Sequence, residues 1–242
     1  MKQANEINKI ENKDAMVLLR GIENNYVDLL LTDIPYNEVN RKSNGLRNLD
    51  KGDADVLDIP LAELVREMVR VTKGSGYIFC GFQQISEIVR VIKEVTPSVR
   101  LLVWEKSNPS PMNGTKIWLS SIEPIVYFKK PNGTFNEHCK GGVLRFPTEK
   151  GKVHPTQKSI KLFEYIVKVS SNEGDVVCDP FMGSGTTALA ALFLNRSFIG
   201  GDLNPDYCKS AQERIEHLLA QVTLIPVSPK CKKRNDTGGS IC

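Results

Sequence analysis

The sequence predicts an α/β fold in which a mostly parallel sheet is covered by helices on both faces. Short apolar segments alternate along the chain with amphipathic segments, which is the pattern of βαβ units. The apolar segments are continuous, as is typical of strands buried on both faces of a parallel sheet. The predicted strands are Val27–Leu31, Tyr77–Cys80, Arg100–Trp104, Ile122–Phe128, Val176–Cys178 and Phe198–Gly200.

The predicted helices lie between these strands, and each has apolar residues at helical spacing. The last one begins at a proline, which the first turn of a helix tolerates, and the preceding Asn204 can cap it. Two regions interrupt the alternation, at residues 37–59 and 130–154, and both are longer than an ordinary connection. The helices are predicted at Leu61–Val71, Ile85–Glu94, Ser159–Ser170, Thr186–Leu194 and Pro205–Ala220.

Length and composition indicate a globular chain. It has 242 residues, of which 40% are hydrophobic and 25% charged, as in an average folded protein. We expect one domain over residues 1–224 and a disordered basic tail over 225–242. No apolar run approaches the ~20 residues that span a bilayer, and the polar N-terminus has no apolar signal core. We therefore expect a cytoplasmic protein with no membrane partner.

The cysteines and histidines do not predict a metal site. The six cysteines are scattered without a C-x-x-C pair, and the three histidines are not at metal-ligand spacing from them. Cys80 and Cys178 fall inside predicted strands, where a reduced cysteine behaves as a small hydrophobic residue.

The positive charge is concentrated in two loops. The chain carries 32 Lys and Arg against 28 Asp and Glu. Residues 129–161 hold eight Lys or Arg against two acids, and residues 37–52 hold four against two. These loops are either a surface for an anionic ligand or ordinary solvated loops, and charge alone does not decide between them.

The first chemical motif is Asp179-Pro180-Phe181-Met182-Gly183-Ser184-Gly185-Thr186-Thr187, directly after a predicted strand. A strand that ends in an acid, followed by a glycine turn and a helix, places backbone N–H groups at the carboxyl edge of a sheet, where α/β folds bind small ligands. About twenty residues later Asp202 ends another strand, in position to bond a ribose diol. The turn alone could serve helix packing, but the two acids favour a nucleoside-type cofactor. The turn does not have the G-x-x-x-x-G-K-[ST] pattern of an ATP-binding P-loop, which excludes that site. It also lacks the G-x-G-x-x-G pattern of dinucleotide-binding turns, which disfavours a dinucleotide.

The second motif is Thr32-Asp33-Ile34-Pro35-Tyr36, again after a predicted strand. Asp33 and the Ile34 carbonyl can accept hydrogen bonds from an amine on a planar ring, while Tyr36 stacks on that ring. By itself the motif could also be a capped strand exit with a half-buried tyrosine.

The third motif is His154-Pro155-Thr156-Gln157-Lys158, at the start of a predicted helix. It precedes the Asp179 strand and can therefore fold over the same ligand, although a solvated helix start has the same composition.

In this order the motifs resemble those of S-adenosylmethionine-dependent DNA amino-methyltransferases of the permuted beta class. That family has a D-P-P-Y motif, then a target-recognition region, then a D-P-F-x-G-S-G-T-T motif near the C-terminus. The resemblance covers about residues 7–220 and includes Trp104-Glu105-Lys106, the HPTQK helix start, and Asn12-Lys13-Asp14-Ala15, which is similar to a G-D-A-L adenine-binding turn. Two departures are Ile34 for the first proline of D-P-P-Y and Ser159 for a proline after HPTQK.

The resemblance implies a Rossmann-like methyltransferase fold, with a mostly parallel seven-stranded sheet, helices on both faces and an antiparallel last strand. It implies a catalytic motif of Asp33, Ile34, Pro35 and Tyr36. It implies S-adenosylmethionine binding by Asp14, Ala15, Thr156, Lys158, Asp179, Pro180, Phe181, Gly183, Ser184, Gly185, Thr186, Thr187 and Asp202. Target recognition is assigned to loops at 37–59, 108–116 and 130–152, with DNA contacts by Asn37, Arg41, Lys42, Arg47, Lys140, Arg145 and Lys152.

The implied reaction is direct methyl transfer to an exocyclic amine of a base flipped out of double-stranded DNA. An Asp at the first motif position favours adenine N6, and cytosine N4 is the alternative. RNA and protein-amide methyltransferases usually have Asn at the Asp33 position and an N-terminal cofactor motif. A non-catalytic DNA-binding subunit would be expected to have lost Asp33, Tyr36 or the cofactor glycines. The resemblance also suggests two protein partners, a second copy of the chain and a cognate restriction endonuclease.

Overall fold

The computed structural model describes residues 7–36, 59–111, 114–149 and 158–223, and all structural statements below concern these residues. They contain eight strands and six helices. The strands are β1 (Ile10–Asn12), β2 (Val27–Asp33), β3 (Thr72–Phe79), β4 (Val99–Lys106), β5 (Ile122–Lys129), β6 (Val143–Phe146), β7 (Val176–Asp179) and β8 (Ser197–Asp202). The helices are α1 (Ala15–Arg20), α2 (Leu61–Val71), α3 (Ile85–Lys93), α4 (Ile160–Ser170), α5 (Thr186–Phe193) and α6 (Pro205–Thr223).

All eight strands form one sheet in the order β1-β8-β7-β2-β3-β5-β4-β6. Every neighbouring pair is parallel except β3–β5 and β5–β4, so β5 alone runs against the other seven. The order reverses between β7 and β2, because β7 leads outward to β8 and β1 whereas β2 leads to β3. Ligands of open α/β sheets bind beside the carboxyl ends of the strands at such a point.

The predicted α/β fold is confirmed, and two details of the sheet are corrected. The described residues form eight strands rather than seven, and the antiparallel strand is the fifth along the chain and lies inside the sheet. β5 is antiparallel because β4 and β5 are joined at one edge, so the chain reverses direction there. The extra strand, β6, lies within the predicted loop 130–152. It forms because Val143–Phe146 pair with β4 and bury Leu144.

All six predicted strands and all five predicted helices are present, with ends that differ by a few residues. Besides β6, two elements were not predicted, β1 and α1. They have three and six residues, which is too short to show a periodic pattern. Asn204 caps α6 as predicted, because its Oδ1 accepts from the backbone N–H groups of Asp206 and Tyr207 at 2.9 and 3.4 Å. The predicted loop 37–58 and the tail 225–242 lie outside the described residues.

The hydrophobic core consists of two layers, one on each face of the sheet. Helices α4, α5 and α6 cover one face, and α1, α2 and α3 cover the other. β2 supplies both layers, since Leu29 and Leu31 pack on the first face and Leu30 on the second. This two-sided burial explains why the strand is apolar at successive positions. Cys80 and Cys178 are both buried, as predicted.

No helix in the described part of the chain is long and apolar enough to cross a membrane. Within the same residues, no three His, Cys, Asp or Glu side chains form a group that could hold a metal ion.

Close backbone contact between β1 and β8 predicts that Gly201 does not tolerate a side chain. A Cβ at Gly201 would lie 2.5 Å from the Glu11 carbonyl oxygen, so β1 would have to move away from β8. We expect Gly201→Ala to lower the free energy of unfolding by about 1–3 kcal/mol, the usual cost of overpacking. Urea denaturation measures it.

Gly141→Ala is the matched control, because a Cβ at Gly141 has no atom within 4 Å. Equal stability of Gly201→Ala and the control would contradict the prediction.

Candidate active site

Three aspartates lie side by side at the carboxyl edge of the sheet. Asp33, Asp179 and Asp202 are the last residues of β2, β7 and β8, which are neighbours in the order β8-β7-β2. The sequence predicted an acid at each strand end, and the structure brings all three to the point where the strand order reverses. The edge therefore holds one site with two parts, one around Asp179 and Asp202 and the other around Asp33.

Asp179 is buried and organises the turn that follows it. Its Oδ1 accepts from Thr32 Oγ1 at 2.7 Å and from the Phe181 N–H at 3.0 Å. Its Oδ2 accepts from Thr187 Oγ1 at 2.5 Å. Burial raises the pKa of Asp179 to about 7, although these three hydrogen bonds favour the ionised form. The carboxyl group thus links β7, the start of α5 and the end of β2.

The glycine turn needs residues without side chains. Gly183 and Gly185 have φ angles of +51° and +79°, in the left-handed region that glycine adopts readily. A Cβ at Gly185 would lie 2.9 Å from the Ala211 Cβ, so the turn also packs closely against α6. The Arg214 side chain donates to the Ser184 carbonyl and fixes the turn from the same helix.

Asp202 is joined to the glycine turn. Its Oδ2 accepts from the Gly183 N–H and its Oδ1 from the Asn204 N–H, each at 2.9 Å. β1 pairs with β8 so that Asn12 lies opposite Asp202, which puts Asp14 at the same edge. Asp14 Oδ1 caps α1 by accepting from the backbone N–H groups of Met16 and Val17.

This part of the site fits a nucleoside-type cofactor. Each oxygen of Asp202 accepts one backbone hydrogen bond, and a carboxylate oxygen has a second lone pair for a ribose hydroxyl. At Gly183 the space is open, since the nearest atom to a Cβ there would be 3.9 Å away. S-adenosylmethionine, when bound, supplies a methyl group on a positively charged sulfur.

The second part of the site is a cluster of charged and phenolic groups around Asp33. Tyr36 Oη donates to Asp33 Oδ1 at 2.6 Å, and Lys158 Nζ lies 2.9 Å from Asp33 Oδ2. Lys158 also donates to Glu123 Oε2 at 2.6 Å and to Tyr36 Oη at 3.1 Å. Lys106 completes the cluster at 2.8 Å from Glu123 Oε1.

Burial and ion pairing change the pKa values in this cluster in different directions. Burial raises the pKa of Asp33, and the nearby Lys158 ammonium opposes the rise. Burial raises the pKa of Tyr36 as well, reinforced by the Asp33 charge. For Glu123 the effect of burial is outweighed by Lys158 and Lys106, which lower its pKa to about 2. Asp33 and Glu123 outweigh the effect of burial on Lys158 and raise its pKa.

The turn after Asp33 is held by a residue that the sequence did not indicate. Gln84 Nε2 donates to the Pro35 carbonyl at 2.9 Å, and its Oε1 accepts from the Gly81 N–H at 2.8 Å. The Ile34 N–H donates to the Phe79 carbonyl at 3.2 Å, so isoleucine keeps the motif aligned with β3.

Glu123 was also not predicted, although an acid at the start of an apolar strand is a weak signal for a functional residue. The resemblance assigns Lys158 to the cofactor, and this assignment stays a prediction. In the structure Lys158 contacts Asp33 and Tyr36. Thr156, Asn37, Arg41, Lys42, Arg47 and Lys152 lie outside the described residues.

The remaining residues predicted to contact DNA are not beside Asp33. Arg145 is on the edge strand β6 and pairs with Glu105 at 2.9 Å. Lys140 lines a cavity with Arg100 and Val169, which belong to the start of β4 and the end of α4. The carboxyl edge is at the other end of both elements. A DNA-binding role for these residues stays a prediction.

The fold and the cofactor site define a Rossmann-like S-adenosylmethionine-dependent methyltransferase, and comparison with known proteins identifies the family. Residues 137–213 match the N6/N4 methyltransferase family, described as DNA methylase. The chain is 30% identical over 250 residues to the DNA adenine methyltransferase YhdJ of Escherichia coli K12, covering 88% of this chain and 84% of that protein. It is 29% identical to the type II methyltransferase M.HpaI of Haemophilus parainfluenzae, covering 84% and 72%.

A solved structure agrees. The structure of this chain superimposes on the crystal structure of the M1.HpyAVI–SAM complex with a TM-score of 0.65 and 29% sequence identity. The match covers 85% of this chain and 98% of that one. The chain belongs to the N6/N4 DNA methylase family and is a DNA methyltransferase that uses S-adenosylmethionine, as predicted. Of these relatives, YhdJ is named as a DNA adenine methyltransferase.

The raised pKa of Asp179 predicts a specific dependence of stability on pH. The folded protein holds a proton on this carboxyl up to about pH 7, whereas the unfolded chain loses it near the ordinary value of 3.8. Protonation of Asp179 therefore contributes its full amount to the free energy of unfolding below pH 4, and this contribution is lost as the pH rises to 7. Each unit of difference between the folded and unfolded pKa corresponds to about 1.4 kcal/mol.

Asp179→Asn cannot titrate, so we expect the wild type to lose more stability than this variant between pH 4 and 7. Chemical denaturation at several pH values measures the difference. A difference between the two proteins that stays constant with pH would contradict the assignment.

Proposed function

We propose that this protein transfers a methyl group from S-adenosylmethionine to the N6 amine of an adenine flipped out of double-stranded DNA. The observation that carries the proposal is the hydrogen bond from Thr32 Oγ1 to Asp179. It joins the cofactor turn to the residue directly before Asp33. The methyl donor and the amine acceptor thus have adjacent positions on neighbouring strands, which is the arrangement that direct transfer requires.

The chemistry follows from the acceptor. The lone pair of an exocyclic amine is conjugated into the base and is a poor nucleophile. Hydrogen bonds from the amine to Asp33 and to the Ile34 carbonyl would localise the lone pair and direct it at the methyl group. As the N–C bond forms, the S–CH3 bond of S-adenosylmethionine would break, S-adenosylhomocysteine would leave, and the methylated nitrogen would lose one proton to solvent. Stacking on Tyr36 would offset part of the cost of extruding the base, which is a few kcal/mol. Most of the rate acceleration then comes from positioning and electrostatics.

The roles of the cofactor residues are part of the proposal. Asp202 would accept from the ribose hydroxyls, and the turn from Pro180 to Thr187 would surround the remainder of the cofactor. Asp14 and Ala15 would contact its base from α1. The hydrogen bonds from the Phe181 N–H to Asp179 and from the Gly183 N–H to Asp202 support these roles, because they fix the conformation of the turn.

Target recognition and assembly belong to the proposal too. The recognition loops would approach DNA with Lys and Arg on phosphates and Asn and Arg on base edges. Because the recognition region as a whole is small, we propose that two copies of the chain act together on DNA. Light scattering of the DNA and cofactor complex tests this, and a single protomer would contradict it. A cognate restriction endonuclease and a cytoplasmic location remain predictions.

A direct test of the reaction uses unmethylated genomic DNA. The protein and S-adenosylmethionine are incubated with the DNA, which is then digested to nucleosides and analysed by mass spectrometry. We expect N6-methyladenine. N4-methylcytosine would keep the mechanism but contradict the assignment of the base, and the absence of any methylated base with cofactor binding intact would contradict the proposed substrate.

Because the site has a cofactor part and an acceptor part, we expect that methyl transfer can be lost without loss of cofactor binding. Asp33→Ala removes the acceptor of the amine hydrogen bond but none of the contacts of the cofactor turn. We expect it to abolish methyl transfer and to leave the Kd for S-adenosylmethionine, measured by calorimetry, nearly unchanged. Asp206→Ala, a change to an exposed residue of α6, is the control. Loss of both methyl transfer and S-adenosylmethionine binding in Asp33→Ala would show that the cofactor part and the acceptor part of the site are misassigned.

The loop between β4 and β5 predicts a spectroscopic signal for DNA binding. This loop lies at the same edge of the sheet as Asp33. Lys106 Nζ contacts the Ser120 carbonyl in the loop at 3.4 Å and also pairs with Glu123 of the Asp33 cluster. The chain has two tryptophans, of which Trp104 is 1% exposed and Trp118, in this loop, is 97% exposed. We expect duplex DNA to change the fluorescence of the wild type and not that of Trp118→Phe. An unchanged wild-type spectrum at saturating DNA would contradict this.

A further inference from the structure

We infer that Lys158 and Glu123 are positioning residues for methyl transfer, which hold the Asp33 carboxylate in place through a buried charge cluster. The inference rests on the proposed function, since it assumes that Asp33 receives the amine of the base. It gives Lys158 a role different from the cofactor contact implied by resemblance. It also gives a role to Glu123, which no sequence motif indicated.

The geometry around the Lys158 ammonium is complete. An ammonium group has three N–H donors, and Lys158 Nζ has three acceptors within hydrogen-bond distance, on Asp33 at 2.9 Å, Glu123 at 2.6 Å and Tyr36 at 3.1 Å. The Lys158 residue is only 8% exposed. Its Nζ also lies 5.3 and 5.5 Å from the ring centroids of Tyr36 and Phe79. A long flexible side chain is thus fixed in one position.

Glu123 fixes Lys158 from the opposite side. Its Oε1 is paired with Lys106 and its Oε2 with Lys158, so the two carboxylates and two ammonium groups of the cluster balance in charge. Glu123 reaches this edge because β5 runs antiparallel. The start of β5 therefore lies beside the ends of the parallel strands. Without Glu123, the buried Lys158 cation would keep the Tyr36 hydroxyl as an acceptor, but Asp33 would be its one remaining carboxylate partner among the described residues.

The polar contacts of Lys158 are with the acceptor part of the site. Among the residues that the structure describes, Lys158 Nζ contacts the Asp33 cluster and makes no polar contact with the turn from Asp179 to Thr187 or with Asp202. Removal of the ammonium should therefore affect the acceptor part of the site and spare the donor part.

The cluster also acts on the ionisation of Asp33, and an ionised carboxylate is a stronger acceptor for the amine than a protonated one. Besides burial, three titratable groups act on its pKa: Lys158 by charge and hydrogen bond, Glu123 as a like charge, and Tyr36 by a hydrogen bond. Asp179 and Cys80 are close enough for the Asp33 charge to raise their pKa values, and Lys106 pairs with Glu123. Lys158 lowers the pKa of Asp33 and Glu123 raises it. Removal of one or the other should therefore move the ionisation of Asp33 in opposite directions.

The test measures single-turnover methylation against pH for the wild type, Lys158→Met, Lys158→Arg and Glu123→Gln, with Lys161→Met as the control. Lys161 is an exposed residue in the first turn of α4, which begins two residues after Lys158. For Lys158→Met we expect a rate about 100-fold lower, as a misplaced catalytic group can cause. We also expect its acidic limb to shift to higher pH. Glu123→Gln should shift the acidic limb to lower pH, and Lys158→Arg should keep it near that of the wild type.

Calorimetry with S-adenosylmethionine completes the test. We expect the Kd for the cofactor to be unchanged in every variant, and circular dichroism monitors folding. A weaker Kd in Lys158→Met with an unshifted pH profile would overturn the inference in favour of a cofactor contact. Shifts of the same sign in Lys158→Met and Glu123→Gln would also overturn it. An inactive wild type would instead contradict the proposed function.

Discussion

The pairing of β2 with β7 is the constraint on which the site depends. Leu29 and Leu30 lie opposite Val177 and Cys178, so strands that are nearly 150 residues apart in the chain are neighbours in the sheet. Neighbouring strands are separated by about 4.8 Å. With Leu30 opposite Cys178, Asp179 follows one residue and Asp33 three residues further along, so strand spacing and register together bring the two acids close. The order in which the motifs occur in the chain is therefore immaterial to the chemistry, provided that these two strands pair.

The charged cluster beside this pairing is costly for folding. Buried charges lose their hydration, and an ion pair in the interior often contributes less to stability than a hydrophobic replacement of the same size. Lys158 is nevertheless buried and Glu123 half-buried, and each contacts two charged groups. Their position is better explained by function than by stability, since a fixed ammonium beside Asp33 prepares the field in which the amine is to react. An apolar substitution in this cluster can thus leave folding intact and still reduce catalysis.

The sequence predicted the parts of this protein that are local in the chain. Continuous apolar runs located six strands, and acids after three of them located the three aspartates at one edge. The features that were missed depend on contacts between distant residues. The direction of β5 brings Glu123 to the site, and β6 becomes a strand only by pairing with β4. Gln84 binds the Pro35 carbonyl across two strand ends. No periodicity within a short segment reports such contacts.

The hydrogen bond between Tyr36 and Asp33 connects the structure to the choice of acceptor. The Tyr36 hydroxyl donates to the same carboxylate that the amine of a base would use in the proposed reaction. Entry of an amine can then exchange one donor on Asp33 for another, while the freed tyrosine ring stacks on the base. A base without an exocyclic amine offers no donor in return and would leave a buried carboxylate oxygen with one hydrogen bond fewer, which costs about 1–3 kcal/mol. Lys158 stays on the other oxygen throughout, so the carboxylate keeps its position while its partner changes.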